Sequence, residues 1–251
     1  MTLFEFMFVS VAGLAAGTIN AAVGSGTLIT FPVLLAVGYP PVTANVSNSL
    51  GLAFGSVSGA VGYRAELRGQ RSRLLRFGTA AGLGGALGAG LLLWLPSAAF
   101  EAVVPVLIIA ALVLVIAQPV IARWLANHRA ECAPKEGALL HGALFAAGVY
   151  GGYFGAAQGV LLVGLLGILL DESLQRINGI KNVLTAVANL VSGVVFVFIA
   201  DVDWLVVLVI AVSSVIGGQL GAKVGRRLPS VVLRGLIVLV GSTAVCLLIA
   251  R

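Results

Sequence analysis

Three observations predict an all-α integral membrane protein, a polytopic helical bundle: too little charge for a solvated surface, apolar runs long enough to cross a bilayer, and an internal repeat. Of 251 residues, 60% are hydrophobic and 10% charged, and the mean hydropathy is +1.12. Soluble domains carry about 25% charged residues. The run Gly84-Gly85-Ala86-Leu87-Gly88-Ala89, ending at Leu95-Pro96-Ser97, returns as Gly217-Gly218-Gln219-Leu220-Gly221-Ala222, ending at Leu228-Pro229-Ser230, an offset of 133 residues. The same offset pairs Asn45 with Asn178, Gly26 with Gly159 and Leu28 with Leu161. Upstream, Ala16-Gly17 and Gly24 match Ala147-Gly148 and Gly155 at an offset of 131, so the second copy carries a two-residue insertion. An apolar chain built as two diverged copies reads as a transporter.

The apolar segments follow in order. They run over 3–24, 26–37, 42–62, 74–95 and 101–122, then, after a polar linker, over 138–160, 161–170, 178–199, 204–224 and 231–250. This divides the chain into repeat 1 (1–122), a linker (123–137) and repeat 2 (138–251). The stretch Met1 to Asn20 carries Glu5 and no Lys or Arg, so it reads as a retained first helix and not as a signal peptide. In each half the second segment is short. Ten residues, as in 161–170, make ~15 Å of helix against ~30 Å of hydrocarbon. Short, glycine-interrupted segments at matching places suggest a broken helix or a re-entrant hairpin. The expectation is therefore eight full spans plus the two short segments 26–37 and 161–170, or up to ten crossings.

Charge relates the halves to one another. The net charge is +6, and twelve of the fifteen Lys and Arg fall in three short stretches. These hold five Arg from Arg64 to Arg76, then Arg123, Arg129 and Lys135, then Lys223, Arg226, Arg227 and Arg234. Such placement marks cytoplasmic loops and excludes a nucleic-acid surface. The Arg-rich loop 63–73 corresponds in the second copy to 196–204, which carries Asp201 and Asp203 and no base. Conversely, 96–101 holds only Glu101, while its counterpart is flanked by Lys223, Arg226, Arg227 and Arg234. The sign inverts, so the two repeats are expected to have inverted topology, with a cytoplasmic linker and both termini outside. Trp94, Trp124 and Trp204 each fall at an expected membrane–water boundary.

Polar residues within apolar segments are costly and mark ligand paths. The first half offers Asn20 and Ser25, then Thr43, Asn45, Ser47, Asn48 and Ser49. The second offers Tyr150, Tyr153 and Gln158, then Asn178, Lys181, Asn182, Thr185 and Asn189. Gly24-Ser25-Gly26 and Gly155-Ala156-Ala157-Gln158-Gly159 can unwind a helix and turn backbone groups toward a cavity. Asn45 and Asn178 sit near the starts of matched segments, where free N–H groups and the helix dipole favour an anion, so together they are expected to form a paired, pseudo-symmetric oxyanion site. The candidates for lining a substrate site are Asn20, Ser25, Asn45, Asn48, Gln158, Asn178, Lys181 and Asn182. The alternative is that these Asn side chains cap helices and join segments. Lys181 either faces the ligand with Asn178, one turn away, or snorkels at a cytoplasmic helix end. Asp171 and Glu172 read as loop-end charges. Glycine triads at four-residue spacing, such as Gly51, Gly55 and Gly59, imply close helix packing.

No GxxxxGK[ST] run, metal-ligand spacing or nucleophile–base arrangement occurs, so no cofactor, metal or catalytic group is called for. His128 and His141 lie in and just after the linker, and Cys132 and Cys246 stand apart.

The chain resembles the sulfite exporter TauE/SafE family of membrane permeases. The resemblance lies in Gly17-Thr18-Ile19-Asn20-Ala21-Ala22-Val23-Gly24-Ser25-Gly26-Thr27 and in Thr43-Ala44-Asn45 leading to Gly51 and Gly59. It continues in Gly151-Gly152-Tyr153-Phe154-Gly155, Asn178-Gly179-Ile180-Lys181-Asn182 and Gly217-Gly218-Gln219-Leu220-Gly221, covering nearly the whole chain. It implies a bacterial plasma-membrane protein that exports sulfite or a small organosulfur anion. The rivals are a non-transporting scaffold, which needs no polar cavity, and a membrane-embedded enzyme, which needs an acid, base or metal cluster. The partners expected are a small anionic substrate and the lipid bilayer, with no nucleic acid. The sequence leaves the coupling ion and homo-oligomerisation open.

Overall fold

The computed structural model describes residues 1–128 and 136–224, with 235, 237–240 and 242–243 beyond them. Of the linker and last segment expected from sequence, 129–135 and most of 225–251 lie outside the described residues. Helix α1 (Leu3–Ala22) opens with a capping box, in which the Glu5 amide donates to Thr2 Oγ1 at 3.3 Å and the Thr2 amide to Glu5 Oε2 at 2.8 Å. The short α2 (Thr27–Ala36) follows, then α3 (Pro41–Gly62), which has proline in its first turn. Next come α4 (Arg71–Trp94), α5 (Ser97–His128), α6 (Ala138–Tyr153) and α7 (Gln158–Leu169). Last are α8 (Leu174–Ile199), capped by Ser173, and α9 (Trp204–Val224). No described residue lies in a strand.

Five described helices are long and apolar enough to cross a bilayer: α1, α4, Ser97–Val120 of α5, α8 and α9. The short segments form as expected, with α2 at 10 residues and α7 at 12. The segment expected over 138–160 is divided instead: α6 stops at Tyr153, and α7 begins at Gln158, earlier than the expected 161. Helix α3 has the length, 22 residues, but carries its polar side chains inward, and Asn45, Ser47, Asn48 and Ser56 are all buried.

Neighbours fix the direction of each helix. Gly51, Gly55 and Gly62 of α3 meet Ile210, Ser214 and Ala222 of α9 in the same order, so the two run parallel. Gly13 and Gly17 of α1 meet Ser213 and Ser214, which aligns α1 with both. Against α8, the order of α3 reverses: the Asp203 amide donates to Ser47 Oγ at 3.0 Å, Gly193 meets Leu50, and Gly179 meets Tyr63. Thus α3 and its counterpart α8 lie antiparallel.

Repeated residues make repeated contacts across the halves. A Cβ on Gly84 of α4 would lie 2.1 Å from the Phe145 carbonyl of α6, and one on Gly217 of α9 would lie 2.2 Å from the Leu14 carbonyl of α1. Gly85 packs on Ala188 and Gly218 on Gly55 in the same relation. Helix α4 therefore packs between α6 and α8, and α9 between α1 and α3. Backbones at this separation leave room for glycine alone.

The two ends of the bundle differ in charge. One gathers Arg64, Arg68, Arg71, Arg73, Arg76, Arg176 and Lys223 with Glu66, Glu136, Asp171 and Glu172; the other has Glu5, Glu101, Asp201 and Asp203. At the basic end Arg73 bridges Glu136 and Glu172 at 2.6 Å each, Arg76 reaches Glu136 at 3.1 Å, and Arg176 reaches Glu172 at 2.9 Å. Glu172 is a loop-end charge as expected, yet it also ties α4 of one half to α8 of the other.

Candidate substrate site

Both α1 and α6 end abruptly, and the chain then folds back as a short helix. Gly24 (φ 92°) and Gly155 (φ 74°), at matched places, take the left-handed conformation that these reversals need. Ala157 does the same at φ 56°, where a side chain costs ~1 kcal/mol. The two breaks meet: the Gly159 amide donates to the Gly24 carbonyl at 2.9 Å. A Cβ on Gly24 would lie 2.3 Å from the Gly159 Cα, so neither position has room for a side chain.

A helix that stops inside a protein leaves its last carbonyls without partners. At the end of α1 these are satisfied from α8. Lys181 Nζ donates to the Asn20 and Ala21 carbonyls, at 2.9 Å each, and Asn182 Nδ2 donates to the Ala21 carbonyl at 3.2 Å. A cation at a helix C-terminus is favoured by the helix dipole. Lys181 is fully buried and forms no ion pair among the described residues. It therefore does not snorkel, because α1 ends beside it and holds the ammonium inside. Two of its three N–H donors are used.

The other candidates are spread along the two breaks and along α3 and α8. Asn20 Nδ2 donates to Ser56 Oγ at 2.9 Å. Asn45 Nδ2 donates to the carbonyl of Tyr153, the last residue of α6, at 2.9 Å. Asn48 Oδ1 accepts from Thr30, one turn beyond the first break, and Gln158 Nε2 donates to the Ala147 carbonyl at 3.1 Å. Ser25 is buried within the first break itself. Asn178 is buried one turn before Lys181.

Several of these side chains are left half-satisfied. Ser25 Oγ, Asn45 Oδ1, Asn48 Nδ2, Gln158 Oε1, Asn182 Oδ1 and Thr185 Oγ1 are buried without a hydrogen-bond partner. An unpaired buried polar atom costs about 1–3 kcal/mol. Each calls for a partner that the described residues do not supply. With Lys181, the donors among them suit an oxyanion. Among the described residues no group of three or more His, Cys, Asp or Glu side chains is placed to hold a metal.

Asn45 and Asn178, expected from sequence as one paired site, are not brought together. Gly179 packs on Tyr63, 18 residues past Asn45 on α3, or ~27 Å along the axis. Because α3 and α8 are antiparallel, matched residues near their starts move to opposite ends. The match that does fall at both breaks is Asn48 with Lys181, also 133 residues apart. Thr30 and Ser56, which hold Asn48 and Asn20, are not legible in the sequence: each is one of several hydroxyls in a helical run, and nothing short of a partner distinguishes it.

A family model described as sulfite exporter TauE/SafE matches residues 9–248. A probable membrane transporter protein of Haemophilus influenzae is 29% identical over 230 residues, covering 90% of this chain and 88% of its own. The probable membrane transporter protein ORF9 of a Sinorhizobium species is 26% identical over 238 residues, covering 95% and 89%. The probable membrane transporter protein YfcA of Escherichia coli is 25% identical over 228 residues, covering 90% and 83%. No solved structure matches. The apolar helices and these relatives make this a multi-pass protein of the bacterial plasma membrane, of transporter and not enzyme kinship. The chain belongs to the sulfite exporter TauE/SafE family.

Proposed function

We propose that this chain is a secondary transporter that exports a small anion, sulfite or an organosulfur anion such as a sulfonate, by alternating access. The observation that carries the reading is the buried Lys181 ammonium, without a carboxylate among the described residues, where two helix breaks meet, with buried unpartnered polar atoms of Ser25 and Gln158 on those breaks and of Asn182 and Thr185 on its own helix. Lys181 supplies positive charge, and the Ser25 and Thr185 hydroxyls and the Asn48 amide supply donors to oxygen. An acidic substrate is preferred because no described Asp or Glu lines the crossing.

The halves act as inverted repeats of four full spans and one short hairpin arm each. The basic end and the linker face the cytoplasm, and the acidic end faces outward. Each helix–break–helix hairpin rocks against the third helix of the opposite half and opens the crossing to one side at a time. The antiparallel run of α3 and α8 and the matched glycine contacts support this arrangement.

The test is labelled sulfite flux in proteoliposomes, with taurine, sulfoacetate and thiosulfate as competitors. Saturable flux that disappears in Lys181→Met is the expected result. Absence of flux, together with no thermal stabilisation by any of the four anions, overturns the organosulfur reading and favours a scaffold. Asn45→Ala with Asn178→Ala tests the remaining residues: unchanged flux removes both from the site.

A further inference from the structure

We propose that the groove between α4 and α8 at the basic end binds one acyl chain of an anionic phospholipid, whose phosphate is held by Arg71. The groove offers about 690 Å³ and is apolar except for Arg71 at its end and Thr79, whose hydroxyl donates to the Arg76 carbonyl at 2.7 Å. Its floor is made by Gly78 and Gly82 of α4, and its far wall by Val187 and Val191 of α8. A Cβ on Gly78 would meet only Val187, at 3.8 Å, so the space over this glycine is open. From Arg71 to Ala86 the groove follows 15 residues of helix, ~22 Å, which runs from one interface past the middle of ~30 Å of hydrocarbon.

Any groove in a membrane meets acyl chains, so selectivity must come from the headgroup. Arg73, Arg76 and Arg176 at this end are committed to Glu136 and Glu172. Arg71 pairs with no carboxylate among the described residues, and it is exposed at the mouth of the groove. A planar guanidinium there matches the two oxygens of a phosphodiester, and a headgroup of net negative charge is drawn to the whole basic end. A zwitterionic headgroup brings its own cation to the same place and gains less.

The full-length protein in detergent is equilibrated with phosphatidylglycerol or phosphatidylcholine of identical chains, and retained lipid is read by native mass spectrometry. Phosphatidylglycerol is expected to be retained in preference, and Arg71→Gln to reduce that preference about fivefold, the value of one cation at a membrane surface. Gly78→Phe, which fills the groove, is expected to lower retention of both lipids. Arg64→Gln, at the same end but outside the groove, is expected to leave retention as in the wild type. Equal retention of the two lipids overturns the proposal, as does an Arg64→Gln loss equal to that of Arg71→Gln. A doubled mass abolished by Gly78→Phe would assign the groove to a second copy of the chain instead. None of these readouts depends on transport, so the outcome stands apart from that of the flux assay.

Discussion

The backbone amide of Gly159 is hydrogen-bonded to the carbonyl of Gly24 at 2.9 Å, so the two helix breaks are physically joined. Gly24→Ala is expected to fail for two reasons, a Cβ 2.3 Å from Gly159 Cα and a φ of 92°. Gly38, with φ 100° and nothing within 4 Å, separates the reasons. Gly38→Ala should lose about 1 kcal/mol from backbone strain, whereas Gly24→Ala should lose several times that and separate the breaks. Thermal unfolding in detergent checks this, and equal shifts for the two variants would refute it.

Lys181 and the end of α1 make a second dependence. Lys181→Met keeps the length of the side chain but leaves the Asn20 carbonyl without its donor, with a cost of about 2 kcal/mol. Lys181→Arg keeps the charge but places a planar fork where a compact ammonium fitted. Flux should vanish in the first variant and fall in the second, with both proteins inserted. Stabilisation by sulfite, read as a shift in Tm, should be lost in Lys181→Met alone if the ammonium meets the anion.

Sequence made the helices and their breaks legible because these are local or periodic properties. Glycines 24 and 155 announced the reversals, and the two Gly-Gly-x-Leu-Gly runs announced matched packing. The partner of each glycine was not legible. Nothing in the spacing of Gly84 indicates that it packs on Phe145 of the other half, because interleaving is set by tertiary packing. The same holds for Lys181: a lysine seven residues into a helix suits snorkelling as well as burial, and only the position of the α1 terminus decides. Asn45 and Asn178 share the 133-residue offset, but the antiparallel course of α3 and α8 carries the two residues apart.

Tyr39, in the turn between α2 and α3 at the acidic end, has its phenol pushed up to about 12, by burial first and then by the neighbouring Asp203 carboxylate. The folded protein therefore holds this proton more tightly than the unfolded chain, whose tyrosines titrate near 10. The stabilisation is complete below pH ~10 and is lost as pH rises toward 12. Tyr39→Phe should flatten the decline of Tm across that window. Asp203→Asn should let the phenol ionise earlier, seen as increased phenolate absorbance at pH ~11 relative to the wild type.

The ion pairs at the basic end predict a separation of stability from transport. Arg73 joins Glu136, just before α6, to Glu172, just before α8, so one side chain of the first half holds two segments of the second. Partly exposed pairs contribute about 1 kcal/mol or less, so Arg73→Gln should lower Tm by only a few degrees. If the crossing opens toward the basic end, however, these pairs must part in every cycle. Losing them should favour the form open on that side and change the flux rate more than the stability. Raising salt should shift wild-type flux in the same direction by screening, while Arg73→Gln should respond weakly. Flux in Arg73→Gln that equals wild type at low salt would show that the pairs stay closed throughout transport, and would place the moving contact elsewhere in the bundle.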